Sequence, residues 1–114
     1  QIVKKNRYTL IDFWATHCKP CLQEFNTLSK LYSKYRNTGF EIISISIDSR
    51  EKSPQVLKVL KQYNIQWTNY NDYDGSSLNK FDNNAIPFNI LIDEKSMIVE
   101  ININQTDLEH LLRK

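Results

Sequence analysis

Cys18 and Cys21 are the only thiols in the chain, and they lie within Trp14-Ala15-Thr16-His17-Cys18-Lys19-Pro20-Cys21. Two cysteines at this spacing can sit one helical turn apart and close a small disulfide ring without moving the backbone. They stand where an apolar run ends and a helical pattern begins. A helix N-terminus offers unpaired N–H groups and a partial positive charge, and both stabilise a thiolate. The thiolate is the reactive form, so Cys18 reads as the attacking nucleophile. Cys21 reads as the thiol that resolves the mixed disulfide. The competing readings are a structural disulfide or half of a metal site. A structural zinc needs four ligands, and beyond the cysteines the chain offers only His17 and the distant His110. No metal is expected, and no cofactor other than the redox-active pair itself.

Two carboxylates can serve this chemistry. Asp12 is the one charge within the apolar run Tyr8–Trp14, and a buried carboxylate without a task is costly. Glu24 lies one turn beyond Cys21 on the same helix face. Either can take the proton from Cys21 as it becomes a nucleophile, and burial that raises the carboxyl pKa suits that role. For Glu24 the plainer alternative is an exposed helical glutamate. Lys19 and His17 flank the nucleophile. A cation there favours the thiolate, although both residues also fit a solvated helix start.

The elements that must position these groups follow from periodicity. Tyr8-Thr9-Leu10-Ile11-Asp12-Phe13-Trp14 is β-branched and aromatic, as a buried strand requires. From Pro20 onward the apolar residues Leu22, Phe25, Leu28, Tyr32 and Tyr35 keep helical spacing, and Gly39 closes the segment. Phe40–Asp48 alternates isoleucine with small serines, which suits an inner strand. Ser53-Pro54 predicts a second helix with Ser53 as N-cap and Val56, Leu57, Leu60 and Tyr63 as its apolar face. Residues 67–75 read as an irregular or short extended connection, and 76–81 as a short helix. Phe88–Ile92 and Ile98–Ile101 predict an antiparallel hairpin through a turn over 93–96. Gln105–Arg113 closes the chain as a helix with Leu108, Leu111 and Leu112 inward. The expected order is β-α-β-α-connector-β-β-α.

Length and charge exclude several classes. A chain of 114 residues makes one domain with a real core, expected to span residues 1–114. A formal net charge of +2 with interspersed signs gives no basic surface for nucleic acid. No apolar run reaches the ~18 residues of a membrane span, so this domain itself is expected to make no membrane contact, and monomer is the default state. The chain opens on Gln1 without a signal-peptide pattern, as expected of a mature form or an excised domain.

This element order, with Cys-x-x-Cys at the first strand-to-helix junction, resembles the thioredoxin fold. Three motifs carry the match: Leu10-Ile11-Asp12-Phe13-Trp14-Ala15 with its buried aspartate, Cys18-Lys19-Pro20-Cys21, and Ile86-Pro87 before the third core strand. Glu24, and the stretch from Ser46-Ile47-Asp48 through Gly75, are similar to the extracytoplasmic TlpA and ResA-like branch, with its active-site glutamate and central insertion. The resemblance implies an α/β fold with a central mixed sheet of four to five strands flanked by helices, with an insertion between the second and third core strands. It implies a thiol–disulfide oxidoreductase that reduces disulfide-containing proteins in the periplasm or cell envelope and is re-reduced by an upstream dithiol partner. It further implies a cis Pro87, with the Ile86 backbone binding an extended target peptide, His17 beside it, and an apolar rim from Trp14 and Phe88. For Phe88, core packing is the alternative.

The chain departs from that pattern at His17, where the family usually has tryptophan, and at Phe88, where thioredoxins have threonine. Ser44 stands where thioredoxin has a lysine near its buried aspartate. The N-terminal strand or hairpin is almost absent, leaving only residues 1–7. Trp67, Tyr70 and Tyr73 either form a partner-facing aromatic patch or, more simply, cover an edge of the core. Two other functions compete. One is a binding module of this fold whose dithiol no longer turns over. The other is a peroxiredoxin-like peroxidase, which needs a threonine one helical turn before its cysteine. Thr16 is only two residues before Cys18, so that spacing is wrong.

Overall fold

The apolar strand Tyr8–Trp14 (β1) lies at the centre of a five-stranded sheet in the computed structural model, which describes residues 6–81 and 85–114. The helix Lys19–Tyr35 (α1) follows β1, and β2 spans Phe40–Ser46. Helix α2 covers Ser53–Gln62, strand β3 Thr68–Asn71 and the short helix α3 Ser76–Asn79. The hairpin strands β4 (Phe88–Asp93) and β5 (Ile98–Ile101) precede the closing helix α4, Gln105–Arg113. The sheet order is β3-β2-β1-β4-β5; β1, β2 and β3 run parallel, while β4 is antiparallel to both β1 and β5. This is the expected thioredoxin fold. The expected near-absence of an N-terminal strand falls largely on residues 1–5, which lie outside the described residues.

Alternation along β1 decides what the site is built from. Leu10, Asp12 and Trp14 share one face, as residues two apart on a strand must, and α1 and α4 cover that face. Its core joins Leu10 and Trp14 to Phe25, Leu28, Ile42, Leu91, Leu108 and Leu112. The opposite face gathers Phe13, Phe88, Ile90 and Leu78 into a smaller cluster. Phe88 is therefore core, as its alternative reading held, and Trp67 too is buried. Tyr70 stays 60% exposed, and Tyr73 stacks under the Arg50 guanidinium at 4.2 Å.

Of the two readings of the connector, the short extended one holds: β3 pairs with β2 from Ile43–Thr68 to Ser46–Asn71 and extends the sheet. Its sequence Thr-Asn-Tyr-Asn carries no apolar alternation; side-chain bonds to buried neighbours hold it, including Ser46 Oγ–H to Asn71 Oδ1 at 2.6 Å. Two local expectations are corrected, at Ser53 and at Leu57. Ser53 is not an N-cap. A 3-10 turn over Arg50–Lys52 precedes α2, and the Ser53 hydroxyl donates back to the Arg50 carbonyl. Leu57, assigned to the apolar face of α2, is 64% exposed, while Val56 is buried and Val59 and Leu60 pack on the core. Gly39 ends the α1 segment as expected. Its φ of +94° is a left-handed conformation that favours glycine, and a Cβ there would meet the Arg7 backbone nitrogen at 3.0 Å.

Candidate active site

The turn between β1 and α1 places both cysteines. Cys18 N–H donates to the Ala15 carbonyl at 3.1 Å, closing a four-residue turn with Thr16 and His17 at its corners. Cys18 then caps α1. Its Sγ accepts the Cys21 N–H at 3.2 Å, the role a serine or aspartate usually plays. Pro20 fits here because the first turn of a helix needs no N–H from it. No acidic residue stands in this first turn, so no side chain of the turn itself opposes the helix dipole, which favours an anion at Cys18. The two sulfurs are joined as a disulfide, with the Cα atoms 5.3 Å apart. Cys18 is 7% exposed and Cys21 1%. Cys18 is thus the more exposed sulfur of the pair.

Asp12 and Glu24 line one cleft of about 350 Å³ beside α1, together with Thr27, Asn89 and Asn104. Asp12 is 2% exposed. Its cross-strand neighbours are Ser44 on β2 and Asn89 on β4, neither of them charged. Burial first, and then the Glu24 carboxylate, raise its pKa well above the ordinary carboxylate range. Glu24 is half-buried, and its burial raises its pKa too. The alternative of a freely exposed Glu24 is thereby set aside. Asn89 shapes the cleft's far wall. Its side chain donates to the Ile103 carbonyl and accepts the Ile103 N–H, tying β4 to the segment leading into α4. Ser44, at the thioredoxin lysine position, is fully buried and accepts the Trp67 indole N–H.

The Ile86–Pro87 bond is cis, as the resemblance implied. Phe88 opens β4 opposite Phe13 near the end of β1, so this bond lies at the same end of the sheet as the cysteine turn. Ile86 and Pro87 are both half-buried. His17 is open to solvent, with a 79% exposed side chain.

Trp14 is not on a rim. It is completely buried, packs edge-to-face on Phe25 at a centroid distance of 5.0 Å, and donates its indole N–H to Asn69 Oδ1 at 2.8 Å. The alternation that sends Asp12 inward sends Trp14 the same way. Trp14→Phe should therefore lower stability by about 1–3 kcal/mol through the lost hydrogen bond and ring volume. KM for a disulfide target should not change. Chemical denaturation beside steady-state kinetics checks this, and a raised KM at native stability would return Trp14 to the binding surface.

Sequence reasoning missed Asp48. It lies two residues past β2, and its side chain is 2% exposed. Its Oδ2 accepts the Thr16 N–H at 2.9 Å and its Oδ1 accepts the Thr16 hydroxyl at 2.8 Å. His17 Nδ1 stands 4.0 Å from the same Oδ1. The visible signal was a carboxylate ending an apolar strand; its partner emerges only from the parallel β1–β2 register.

A sequence profile described as thioredoxin-like matches residues 6–99. The thiol–disulfide oxidoreductase ResA of Bacillus thuringiensis subsp. konkukian is 33% identical over 113 residues, covering 96% of this chain and 64% of the relative. ResA of Bacillus subtilis is 26% identical over 85% of this chain and 53% of its own length. The chain thus spans less than two thirds of these relatives. Among solved structures, the thioredoxin domain of a thiol–disulfide oxidoreductase from Bacteroides vulgatus superposes with a TM-score of 0.83 at 26% identity, covering 96% and 79% of the two chains. A thiol:disulfide interchange protein from a Bacteroides species gives 0.80 at 27% identity, covering 98% and 74%. A paired dithiol at a helix start, a cis-proline strand opposite it and these matches converge: the chain belongs to the thioredoxin-like family, and its homologues are ResA-like thiol–disulfide oxidoreductases.

Proposed function

We propose that this domain is a thiol–disulfide oxidoreductase that reduces disulfides of protein targets in an extracytoplasmic compartment. The observation that carries the reading is the Cys18–Cys21 disulfide at the start of α1, with Cys18 the more exposed sulfur and Cys21 enclosed. In the reduced protein the Cys18 thiolate attacks one sulfur of the target disulfide. That S–S bond breaks, a mixed disulfide forms on Cys18, and the departing target sulfur takes up a proton. Cys21 then gives its proton to the carboxylate pair and attacks Cys18 Sγ. The mixed disulfide breaks, and the second target sulfur leaves as a thiolate that is protonated in turn. Two electrons have passed to the target, and the Cys18–Cys21 disulfide has formed. An upstream dithiol protein restores the reduced state by the same exchange in reverse.

Asp12 and Glu24 are the proton acceptors in this scheme. Both carboxyls have pKa values raised by burial, which makes each a stronger base than an ordinary carboxylate. Their shared cleft gives the proton a route to water. Ile86 and Pro87 receive the target backbone beside the dithiol, and the exposed His17 contacts it. The extracytoplasmic placement rests on the ResA-like relatives. No helix among the described residues is long and apolar enough to cross a membrane.

The test is the equilibrium of the cysteine pair with a thiol buffer at pH 7. A reversible two-electron couple nearer about −270 mV than about −120 mV is expected, the former being the value of a reductase and the latter of an oxidant. A couple at the oxidising end would reverse the direction of electron flow. The absence of any reversible couple would overturn catalytic turnover and leave a binding module.

A further inference from the structure

The carboxylate of Asp48 is almost wholly shielded from water, yet the reaction scheme above assigns it no task. Both of its oxygens are directed to a single residue, Thr16, one to the backbone N–H and one to the hydroxyl. Thr16 is the first corner of the turn that ends at Cys18, whose own N–H closes that turn on Ala15. The turn therefore has two anchors. One is internal, and the other is a carboxylate carried from the neighbouring parallel strand. Continuity between the strands supports this bridge, because Ile47 N–H donates to the Trp14 carbonyl at 2.9 Å, directly before Asp48. A rigid support of this kind fixes where Cys18 Sγ stands relative to an incoming disulfide and to the Cys21 N–H.

Asp48 also brings a negative charge to the one place where the reaction develops another. The His17 imidazole, 4.0 Å away, is open to solvent, where water screens it. A buried anion held on the turn that presents Cys18 disfavours the thiolate, and what disfavours the thiolate favours the disulfide. The helix N-terminus pulls the couple in the opposite direction.

We propose that Asp48 is a positioning residue of the dithiol: through Thr16 it holds the turn that presents Cys18, and its charge biases the Cys18–Cys21 couple toward the disulfide. This rests on the thiol–disulfide reading, so the native chain is measured first. A native chain without a reversible couple would sink that reading, whereas the outcomes below bear on Asp48 alone.

Asp48→Asn retains the grip. The amide oxygen can accept the Thr16 N–H while the amide NH₂ donates to the Thr16 hydroxyl oxygen. Only the charge is lost. Its equilibrium with glutathione should move toward the dithiol by about tenfold, about 30 mV for a two-electron couple, and its alkylation by iodoacetamide at pH 7 should quicken. Thr16→Val keeps the charge and removes one of the two hydrogen bonds. Its glutathione equilibrium should stay native while kcat/KM for a protein disulfide falls about tenfold, since small misplacements of reacting groups are costly. Asp48→Ala, if it folds, should combine both effects. Circular dichroism and the thermal midpoint establish which variants are folded. A glutathione equilibrium within about twofold of native in Asp48→Asn, or an unchanged kcat/KM in Thr16→Val, would overturn the assignment.

Discussion

Cys21→Ser should accumulate a mixed disulfide on Cys18 with a protein target, and turnover should fall by at least about 10³-fold. The size of the effect follows from enclosure. Cys21 is held three residues from Cys18 at the start of one helix, and well-oriented intramolecular groups react as if at about 10⁵ M or more. A buffer thiol at millimolar concentration cannot match even a small part of that, and the buried position keeps it at a distance. Cys18→Ser should fail earlier, forming no adduct, because Cys21 at 1% exposure has no route to a target. Mass spectrometry of the trapped species distinguishes the two roles. If Cys18→Ser captured target and Cys21→Ser did not, the assignment of nucleophile and resolver would be reversed. If neither variant captured anything while both still bound a partner as the native chain does, the dithiol would be structural and the binding-module reading would lead.

The parts of this site that were legible in the sequence are the local ones. A three-residue spacing, a proline in the first turn and the absence of acid there act within one helical turn, so they can be read without knowing the fold. Asp12 was legible for a related reason: a charge inside an otherwise apolar strand is anomalous wherever that strand lies. Trp14 was misplaced because an apolar residue beside a reactive cysteine looks the same on a rim and in a core. The period of two along β1 held the answer, since Leu10, Asp12 and Trp14 must share a face. Asp48 and β3 depended on information that no local pattern contains. Asp48 meets Thr16 across 32 positions only because β1 and β2 are parallel and in register. β3 is a strand because β2 has a free edge and because Trp14 and Ser46 need acceptors, which Asn69 and Asn71 provide.

Removing both carboxylates should slow the second half of the reaction and leave the first half intact. In Asp12→Asn with Glu24→Gln, attack of Cys18 on a target should proceed at the native rate, while release of the mixed disulfide at pH 7 slows by about 10²-fold, the ordinary contribution of a positioned base. Each single variant should slow release by less, because the partner carboxylate still lines the same cleft. Rapid-mixing kinetics over pH separate the steps. The native release rate should level off above the raised carboxyl pKa values, whereas the double variant should keep rising as Cys21 itself ionises. The same burial has a signature in stability, and its sign is fixed. Because folding raises the Asp12 pKa, the folded state binds the proton more tightly than the unfolded chain. Stability is then fully present below the ordinary carboxylate pKa and is lost as pH rises through the raised one. Asp12→Asn escapes that loss, so at pH 8 it should be more stable than the native chain by at least about 1 kcal/mol, or about 4 °C in thermal midpoint. Near pH 4 the difference should shrink. A variant more stable at pH 8 and slower in release would identify Asp12 as a group kept for its proton at the expense of the fold. A native release rate in the double variant would remove the carboxylates from the mechanism, whatever their effect on stability.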